Sequence, residues 1–265
     1  MTTSITLSFP TAEIDFPALR TALRVREGSE DEIVLRAMLA ELRTVAQPKA
    51  LFAVAFIEAK GEDYVIVDGM RFTSRVLRVN LGDAHRCFPF VCTSGREAEA
   101  WAGAQGGFLR RFWADALNQA LLHAAALSLQ GHIQDRYELG SVSMMNPGSL
   151  ADWPLREQRS LFSLLGNVQE AIGVELTKSL LMVPTKSVSG ILFPAEEGFA
   201  SCQLCPRELC PNRRAPYDPE LYGRKYRGTV TSEAGSQKLE AGSQQPVSSF
   251  QLPVSSDGSL HEHDR

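Results

Sequence analysis

The strongest constraint on the fold is a change in composition near residue 229, which limits how much of the chain can build a hydrophobic core. The chain has 265 residues, and 17 of the 37 in residues 229–265 are Ser, Gly, Gln or Pro. Phe250 is the only aromatic residue there. Such a segment cannot bury enough apolar surface to offset the entropy that folding removes. The sequence therefore predicts a folded body over residues 1–228 and a disordered low-complexity tail over residues 229–265.

The charge balance argues against a nucleic-acid-binding protein. The chain carries 27 basic and 31 acidic residues, whereas nucleic-acid-binding domains normally show a clear basic excess. No uninterrupted apolar stretch reaches the length of about 18 residues that a membrane-spanning helix needs. Residues 1–9 also lack the basic and apolar regions of a signal peptide. We therefore expect a cytoplasmic protein whose partners include neither nucleic acid nor a membrane.

The body of the chain mixes strand and helix patterns. Ile5, Leu7 and Phe9 alternate with polar residues, as in a short half-buried strand. A stretch rich in Ala and Leu predicts one long helix over residues 108–137. Further strands are predicted at residues 51–58, 64–67, 176–183 and 187–193. This order predicts the α+β class: a single domain with a twisted, mostly antiparallel sheet and flanking helices.

Three residue pairs have the spacing of helix starts. A Ser followed three positions later by Glu is the capping-box pattern, and an Asp followed by Pro suits an N-cap and a first turn. The pairs are Ser29 with Glu32, Ser94 with Glu97, and Asp152 with Pro154. Each pair predicts a helix that begins there, and the last helix would run to Leu165.

Three cysteines form the clearest candidate site. Cys202, Cys205 and Cys210 have the spacing C-x2-C-x4-C within a cysteine-rich segment, residues 202–217. Two cysteines three positions apart can chelate one metal centre from a single turn, and the third extends the same loop. The spacing therefore predicts a metal ion or an iron–sulfur cluster bound by these three thiolates.

The fourth ligand and the identity of the metal are less constrained. Cys87 and Cys92 are the only other cysteines, and we take Cys92 as the predicted fourth ligand. Cys87 is the alternative fourth ligand, although each of the two taken singly is more simply a small core residue, and a cluster with only three protein thiolates is the other alternative. Zinc commonly uses two C-x2-C pairs and only one is present, so a [4Fe–4S] cluster is favoured over zinc.

No motif for nucleotide binding or hydrolysis is present. The chain has no G-x-S-x-G, no Walker-type glycine-rich loop and no G-x-G-x-x-G ahead of a helix. No side chain is identified as a general acid or base. We therefore expect an accessory role rather than independent catalysis.

Residues 115–193 resemble the activation (reactivation) domain of vitamin B12 (cobalamin)-dependent methionine synthase. That family has a Pro-Gly turn, a short helix ending in Leu-Leu, an Ile-Gly-x-x-Leu-Thr-x-Ser segment, a Met, and a Ser-Val-Ser-Gly strand. The matching elements here are Pro147–Gly148, Leu161–Leu165, Ile172–Gly173, Leu176–Thr177, Ser179, Met182 and Ser187–Gly190. Their order and spacing are specific to this family.

The resemblance implies a C-shaped α+β domain that docks on a cobalamin-binding (corrinoid) protein. Such a domain supports reductive remethylation of inactive cob(II)alamin, with S-adenosylmethionine as the methyl donor. Asn146, Pro147, Gly148 and Ser149 would then form the loop that faces the corrinoid or a small ligand. We expect a free-standing form that acts on a corrinoid methyltransferase, with methionine synthase as the first choice.

The chain departs from the family in ways that suggest where the electron comes from. The family's methionine synthases carry an Arg and a Tyr where Met144 and Ser149 stand here, and the cysteine segment replaces an ordinary helix-forming sequence. Reduction of cob(II)alamin needs a very low potential, and iron–sulfur centres reach the bottom of the biological range, roughly −700 mV. We hypothesise that a cluster at the three cysteines passes an electron from a low-potential donor to the corrinoid.

Two alternative functions remain open from the sequence. One is an S-adenosylmethionine-binding activation domain whose cysteines hold a structural zinc ion. The other is a non-catalytic interaction module that keeps the fold without the chemistry. Metal content distinguishes the structural-zinc alternative from the iron–sulfur hypothesis. Redox activity distinguishes the non-catalytic module from that hypothesis.

Overall fold

A mostly antiparallel sheet organises the chain in the computed structural model, which describes residues 3–10, 12–195, 198–210 and 213–227. The predicted tail, residues 229–265, lies outside the described residues. Ten strands are described, and every pairing among them is antiparallel. They are β1 (Ser4–Ser8), β2 (Lys49–Ala53), β3 (Ala55–Lys60), β4 (Tyr64–Val67), β5 (Met70–Thr73), β6 (Arg86–Thr93), β7 (Val142–Met145), β8 (Glu175–Leu176), β9 (Met182–Val183) and β10 (Ser187–Pro194).

Strand β6 lies at the centre of an eight-stranded sheet. One of its edges pairs with β10, and β7 extends the sheet beyond β10. The other edge pairs first with β2 and then with β3. Strand β1 flanks β2, while β4 and β5 follow β3 in the same sheet. Strands β8 and β9 form a separate two-stranded sheet.

Seven α-helices surround this sheet in the part of the chain that the structure describes. They are α1 (Phe16–Ala22), α2 (Glu30–Val45), α3 (Arg75–Asn80), α4 (Arg96–Gly103), α5 (Phe108–Arg136), α6 (Gln158–Leu165) and α7 (Val168–Ile172). Helix α5 confirms the predicted long helix. None of the described helices combines the length and the apolar character needed to cross a membrane. The predicted α+β class, with a mostly antiparallel sheet and flanking helices, is confirmed.

Side chains of β6 alternate between two separate cores. Phe88, Phe90 and Cys92 pack with apolar residues of α5 on one face of the sheet, which we call the α5 face. Cys87 and Val91 point to the opposite face and pack with apolar residues of α6, on what we call the α6 face. This alternation follows from the two-residue repeat of a strand. It gives every side chain of the strand between positions 87 and 93 a buried environment.

A third core is formed mainly by helices, together with Ile14 just before α1. Buried side chains from α1, α2, α4 and the first half of α5 pack together beside the sheet. Helix α2 begins as its sequence predicts, because the Glu32 amide donates to the Ser29 hydroxyl oxygen at 3.3 Å. The Glu32 carboxylate accepts the Gly28 amide rather than that of Ser29, at 2.6 Å. The predicted cap is therefore present, with its reciprocal bond moved by one residue.

The other two predicted helix starts are wrong in detail because their polar side chains serve tertiary contacts. Helix α4 is preceded by Gly95 as its N-cap, while the Ser94 hydroxyl donates to the Lys186 carbonyl oxygen at 3.3 Å. The Asp152 carboxylate accepts the Ser74 hydroxyl and, at 3.0 Å, the Val76 amide at the start of α3. The chain after Asp152 passes through a short 3-10 helix before α6 begins.

The predicted strand at residues 176–183 is also wrong. Only its ends are extended, in β8 and β9, and the residues between them form a turn. The Thr177 side-chain oxygen accepts the Leu181 amide at 3.0 Å, and Leu180 has a positive φ of 67°. A side chain that bonds to a nearby backbone group competes with strand pairing.

Gly190 in β10 lies where the main chain approaches it closely. A Cβ atom at this position would lie 2.4 Å from the Met145 carbonyl oxygen and 2.6 Å from the Asn146 side-chain nitrogen. Both distances are shorter than any normal contact. The glycine therefore allows β7 and the residue that follows it to sit directly against β10.

We predict that Gly190→Ala destabilises the protein by about 1–3 kcal/mol, because the added methyl group forces the backbone of β7 away from β10. Gly131→Ala is the control, since Gly131 lies within α5 with open space around its Cα. That substitution should stabilise the protein by about 0.5–1 kcal/mol. Denaturant unfolding of both variants measures the two changes, and equal stabilities would contradict the close approach at Gly190.

Candidate functional site

The turn after β7 has a rigid base and an exposed tip. This Pro-Gly turn comprises Asn146, Pro147, Gly148 and Ser149, the four residues predicted to face a ligand. The side-chain amide nitrogen of Asn146 donates to the Ser189 carbonyl oxygen at 2.8 Å. Asn146 and Pro147 are wholly or partly buried, whereas Gly148 and Ser149 are exposed. The structure thus brings the four residues together and presents the last two at the surface.

Backbone hydrogen bonds fix the conformation of the Pro-Gly turn. The Gly148 backbone amide donates to the Trp153 carbonyl oxygen at 2.7 Å. The Ser149 backbone amide donates to the main-chain carbonyl oxygen of Asn146 at 3.1 Å. Gly148 has a φ of +84°, and a Cβ there would lie 3.0 Å from the Leu155 side chain. Both the backbone angle and the close neighbour therefore require glycine.

A buried glutamine, Gln158, contacts the strand that holds the turn and was not identified from the sequence. The side-chain amide nitrogen of Gln158 donates to the Ser189 hydroxyl oxygen at 2.9 Å, and both residues are at most 4% exposed. Within the described residues, Gln158 Oε1 and Trp153 Nε1 are buried without a hydrogen-bond partner. Gln158 was missed because a Gln in the first turn of a helix is usually solvent-exposed.

The second candidate site is the cysteine segment, for which one arginine serves as an anchor. The Arg213 guanidinium donates to the carbonyl oxygens of Cys202 at 3.0 Å and Cys205 at 3.1 Å. It also donates to the carbonyl oxygen of Arg207. The Arg213 backbone amide donates to the Cys210 carbonyl oxygen at 3.1 Å. A single residue therefore holds the main chain at all three cysteines.

The environment of Cys202 favours its thiolate form. Its sulfur accepts the backbone N–H of Arg214 at 3.4 Å. Burial raises the pKa of the Cys202 thiol, but two backbone N–H groups and two nearby guanidinium charges lower that pKa by more. These groups belong to Arg213, Arg214 and Ala215. The net result is a pKa below the ordinary value for cysteine.

The structure does not bring Cys92, the predicted fourth ligand, to the cysteine segment. Phe199 and Leu204 anchor the segment to the α6 face, whereas Cys92 packs on the α5 face. Burial raises the pKa of Cys92 to about 12, and it raises the pKa of Cys87 as well. Cys87 points to the α6 face but is fully buried within β6. Both residues behave as small core side chains.

The geometry of the described residues does not form a ready metal site. Among them, no three His, Cys, Asp or Glu side chains lie close enough together to hold a metal ion. The three thiols of the cysteine segment are each half-buried and free of disulfides. Ligation of a metal or cluster by these thiols stays a prediction.

Two comparisons with known proteins agree with the resemblance to the activation-domain family and with the fold. Residues 123–200 match the family described as vitamin B12 dependent methionine synthase, activation domain. The matched range runs from the second half of α5 through the Pro-Gly turn and β10, and it ends two residues before the cysteine segment. No protein in a search of curated sequences matches this chain.

The fold also resembles a solved structure, a crystal structure of the MetH reactivation domain bound to AdoHcy. The two chains are 17% identical, with a TM-score of 0.55 over 76% of this chain and 81% of that one. The resemblance predicted from residues 115–193 is thus confirmed, both in the sequence of the central segment and in the fold.

We predict that alkylation separates the cysteines of the folded protein by environment. In folded protein freed of metal by chelation, iodoacetamide should modify Cys202 while Cys87 and Cys92 stay unmodified until the protein unfolds, because only an accessible thiolate reacts. A lowered pKa keeps more thiolate as the pH falls, so the reaction at Cys202 should persist to a lower pH than that of N-acetylcysteine. Peptide mass spectrometry measures each rate. Rapid modification of Cys92 in folded protein would contradict its burial.

We also predict that Arg213→Gln loosens the cysteine segment. Loss of hydrogen bonds from a charged donor should speed amide hydrogen exchange of Cys205 about tenfold, equivalent to about 1.4 kcal/mol. Arg214→Gln is the matched control, because it also removes a guanidinium charge near Cys202, whereas the hydrogen bond from Arg214 to Cys202 comes from the backbone amide and is kept. Equal exchange rates in the two variants would show that the guanidinium of Arg213 does not anchor the segment.

Proposed function

We propose that this protein reactivates a cobalamin-dependent methyltransferase, with methionine synthase as the first candidate. It would dock on the partner's cobalamin-binding module and support the reduction and remethylation of oxidised cobalamin. The observation that carries this proposal is the match of residues 123–200 to the activation-domain family. That range contains the Pro-Gly turn and the strand that holds it.

The Pro-Gly turn is suited to contact a flat or tightly fitted ligand. Gly148 has no side chain and Ser149 has a short one, so the backbone of the turn can approach a partner closely. The bonds from Asn146 to β10 and from Gly148 to Trp153 fix this backbone before any partner binds. Preorganisation of this kind reduces the entropy lost on binding. We propose that the exposed tip faces the corrinoid or a small ligand beside it.

For the electron, we propose a [4Fe–4S] cluster held by Cys202, Cys205 and Cys210. Such a cluster supplies one-electron transfer at low potential, and it requires ligands that are deprotonated. The chemistry of the donor set fits, because Arg213 gathers the main chain of the three cysteines and the surroundings of Cys202 favour its thiolate. A low-potential electron donor would complete the system.

The fourth position of such a cluster would be open to a ligand from outside the protein. Cys92 lies in the core on the α5 face, and the cysteine segment is anchored on the α6 face. We therefore favour the three-thiolate alternative over ligation by Cys92. The N–H that Arg214 directs at the Cys202 sulfur would contribute to the potential, because hydrogen bonds to cluster ligands raise it.

A second candidate function is binding of an S-adenosyl ligand, because the MetH reactivation domain was solved with AdoHcy. Met144 stands where the family carries an Arg. It packs partly buried against the α5 face and offers no cation for a ligand carboxylate. Calorimetry with S-adenosylhomocysteine measures the affinity for such a ligand directly. Binding in the micromolar range, weakened by substitution of Ser149, would support an S-adenosyl site at the Pro-Gly turn.

We predict that protein purified without oxygen contains iron and sulfide and absorbs near 400 nm. Cys205→Ser should abolish the absorption, because two thiolates do not hold the cluster. Cys92→Ala is the control and should retain the colour, since Cys92 lies away from the segment. A colourless protein with one zinc ion per chain would contradict the cluster and favour the structural-zinc alternative.

We predict that the protein binds a cobalamin-binding module of methionine synthase loaded with cob(II)alamin. Ser149→Trp should weaken this binding at least about tenfold, equivalent to about 1.4 kcal/mol, because the indole would obstruct the exposed tip of the turn. Ile33→Trp is the control, since Ile33 is 67% exposed on α2. Calorimetry measures affinity, and a remethylation assay with a low-potential reductant measures activity.

The outcomes of this experiment separate the alternatives. Failure to bind any cobalamin module would overturn the proposed docking. Binding without support of remethylation would favour the non-catalytic interaction module.

A further inference from the structure

Cys202 and Cys205 occupy the ends of one hydrogen-bonded turn. The 3-10 helix Ser201–Leu204 contains the first of them, and the Cys205 amide donates to the Cys202 carbonyl oxygen at 3.2 Å. Residues at the first and fourth positions of such a turn have Cα atoms less than about 7 Å apart. Disulfides span Cα separations of about 4.4–6.8 Å. The backbone of the turn therefore suits a bond between the two sulfur atoms.

The anchoring of this turn leaves both sulfur atoms available. Arg213 holds the carbonyl oxygens of Cys202 and Cys205, so the turn is fixed through its main chain and not through its thiols. Both cysteines are half-buried and unpaired in the structure. The Cys202 sulfur accepts the Arg214 N–H, which is the kind of contact that a thiolate receives. Neither Cys87 nor Cys92 can compete, because both are buried in β6.

We propose that Cys202 and Cys205 form a reversible dithiol–disulfide pair that exchanges with low-molecular-weight disulfides such as glutathione disulfide. This inference does not rest on the proposed function, since it requires neither a metal nor cobalamin. Cys210 takes no part in the bond. The same two sulfur atoms cannot be oxidised and bind a metal at once, so the two states exclude each other.

The exchange proceeds in two balanced steps. The Cys202 sulfur attacks one sulfur of glutathione disulfide, which forms a mixed disulfide and releases one glutathione. The Cys205 sulfur then attacks the Cys202 sulfur of that mixed disulfide and releases the second glutathione. The protein pair loses two electrons and two protons, and glutathione disulfide gains them. Arg213 promotes the second step because it keeps Cys205 beside Cys202.

The test uses the full chain, freed of metal by chelation, in anaerobic buffers of varied glutathione to glutathione disulfide ratio. After acid quenching and alkylation, peptide mass spectrometry identifies every linkage. The expected result is one intramolecular bond, Cys202 to Cys205, whose fraction follows the buffer ratio and reverses on dilution into reduced glutathione. Cys210→Ser should leave this titration unchanged.

Three further variants test the order of the steps and the role of Arg213. Cys205→Ser should stop the reaction at the first step and accumulate glutathione on Cys202. Arg213→Gln should require a more oxidising buffer for half-oxidation than Arg214→Gln, by several-fold in the glutathione ratio, because both variants lose a charge near Cys202 but only the first loses the bonds to the Cys202 and Cys205 carbonyl oxygens.

Three outcomes would overturn the proposal. They are mixed disulfides alone in the unmodified chain, a principal bond that includes Cys210, or no oxidation across the whole range of buffers. None of them bears on cobalamin docking or iron content, which are measured separately on protein that has not been stripped of metal.

Discussion

The burial of β6 on both faces and its pairing on both edges is the constraint on which the rest of the structure depends. Its side chains from position 87 to position 93 divide between the α5 face and the α6 face. One edge pairs with β2 and β3, and the other with β10. Strand β10 in turn holds β7 and, through the Ser189 carbonyl oxygen, the Pro-Gly turn. The position of the candidate ligand turn is thus set by the centre of the sheet.

The elements that could be predicted from the sequence are those whose signals are local. The Ser29 cap and the long helix α5 depend on neighbouring residues, and both are confirmed. Ser94 and Asp152 have the same local spacing, yet their side chains bond to residues more than 70 positions away. A pattern within a few residues carries no information about such partners. The divided strand at residues 176–183 has a different cause, because Thr177 bonds locally to Leu181 and this bond competes with strand pairing.

The candidate sites also depend on tertiary contacts that the sequence does not reveal. The spacing of the cysteines and the resemblance at residues 115–193 indicated the two candidate segments, the cysteine segment and the Pro-Gly turn. The sequence could not reveal that Cys92 points to the α5 face, since the face of a strand residue depends on its pairing register. It also could not distinguish Arg213 from its neighbour Arg214. Only the fold shows that the Arg213 guanidinium reaches two cysteine carbonyl oxygens, while Arg214 donates its backbone amide to the Cys202 sulfur.

The use of a guanidinium to hold the cysteine segment has a consequence for how the segment responds to acidity. An arginine side chain stays charged throughout the range in which proteins fold, and main-chain carbonyl oxygens do not titrate in that range. The shape that Arg213 imposes is therefore insensitive to pH. The sulfur atoms within that shape are not, because a thiol reacts or binds a metal only after it loses its proton. Acidity thus adjusts the chemistry of the segment and leaves its geometry constant.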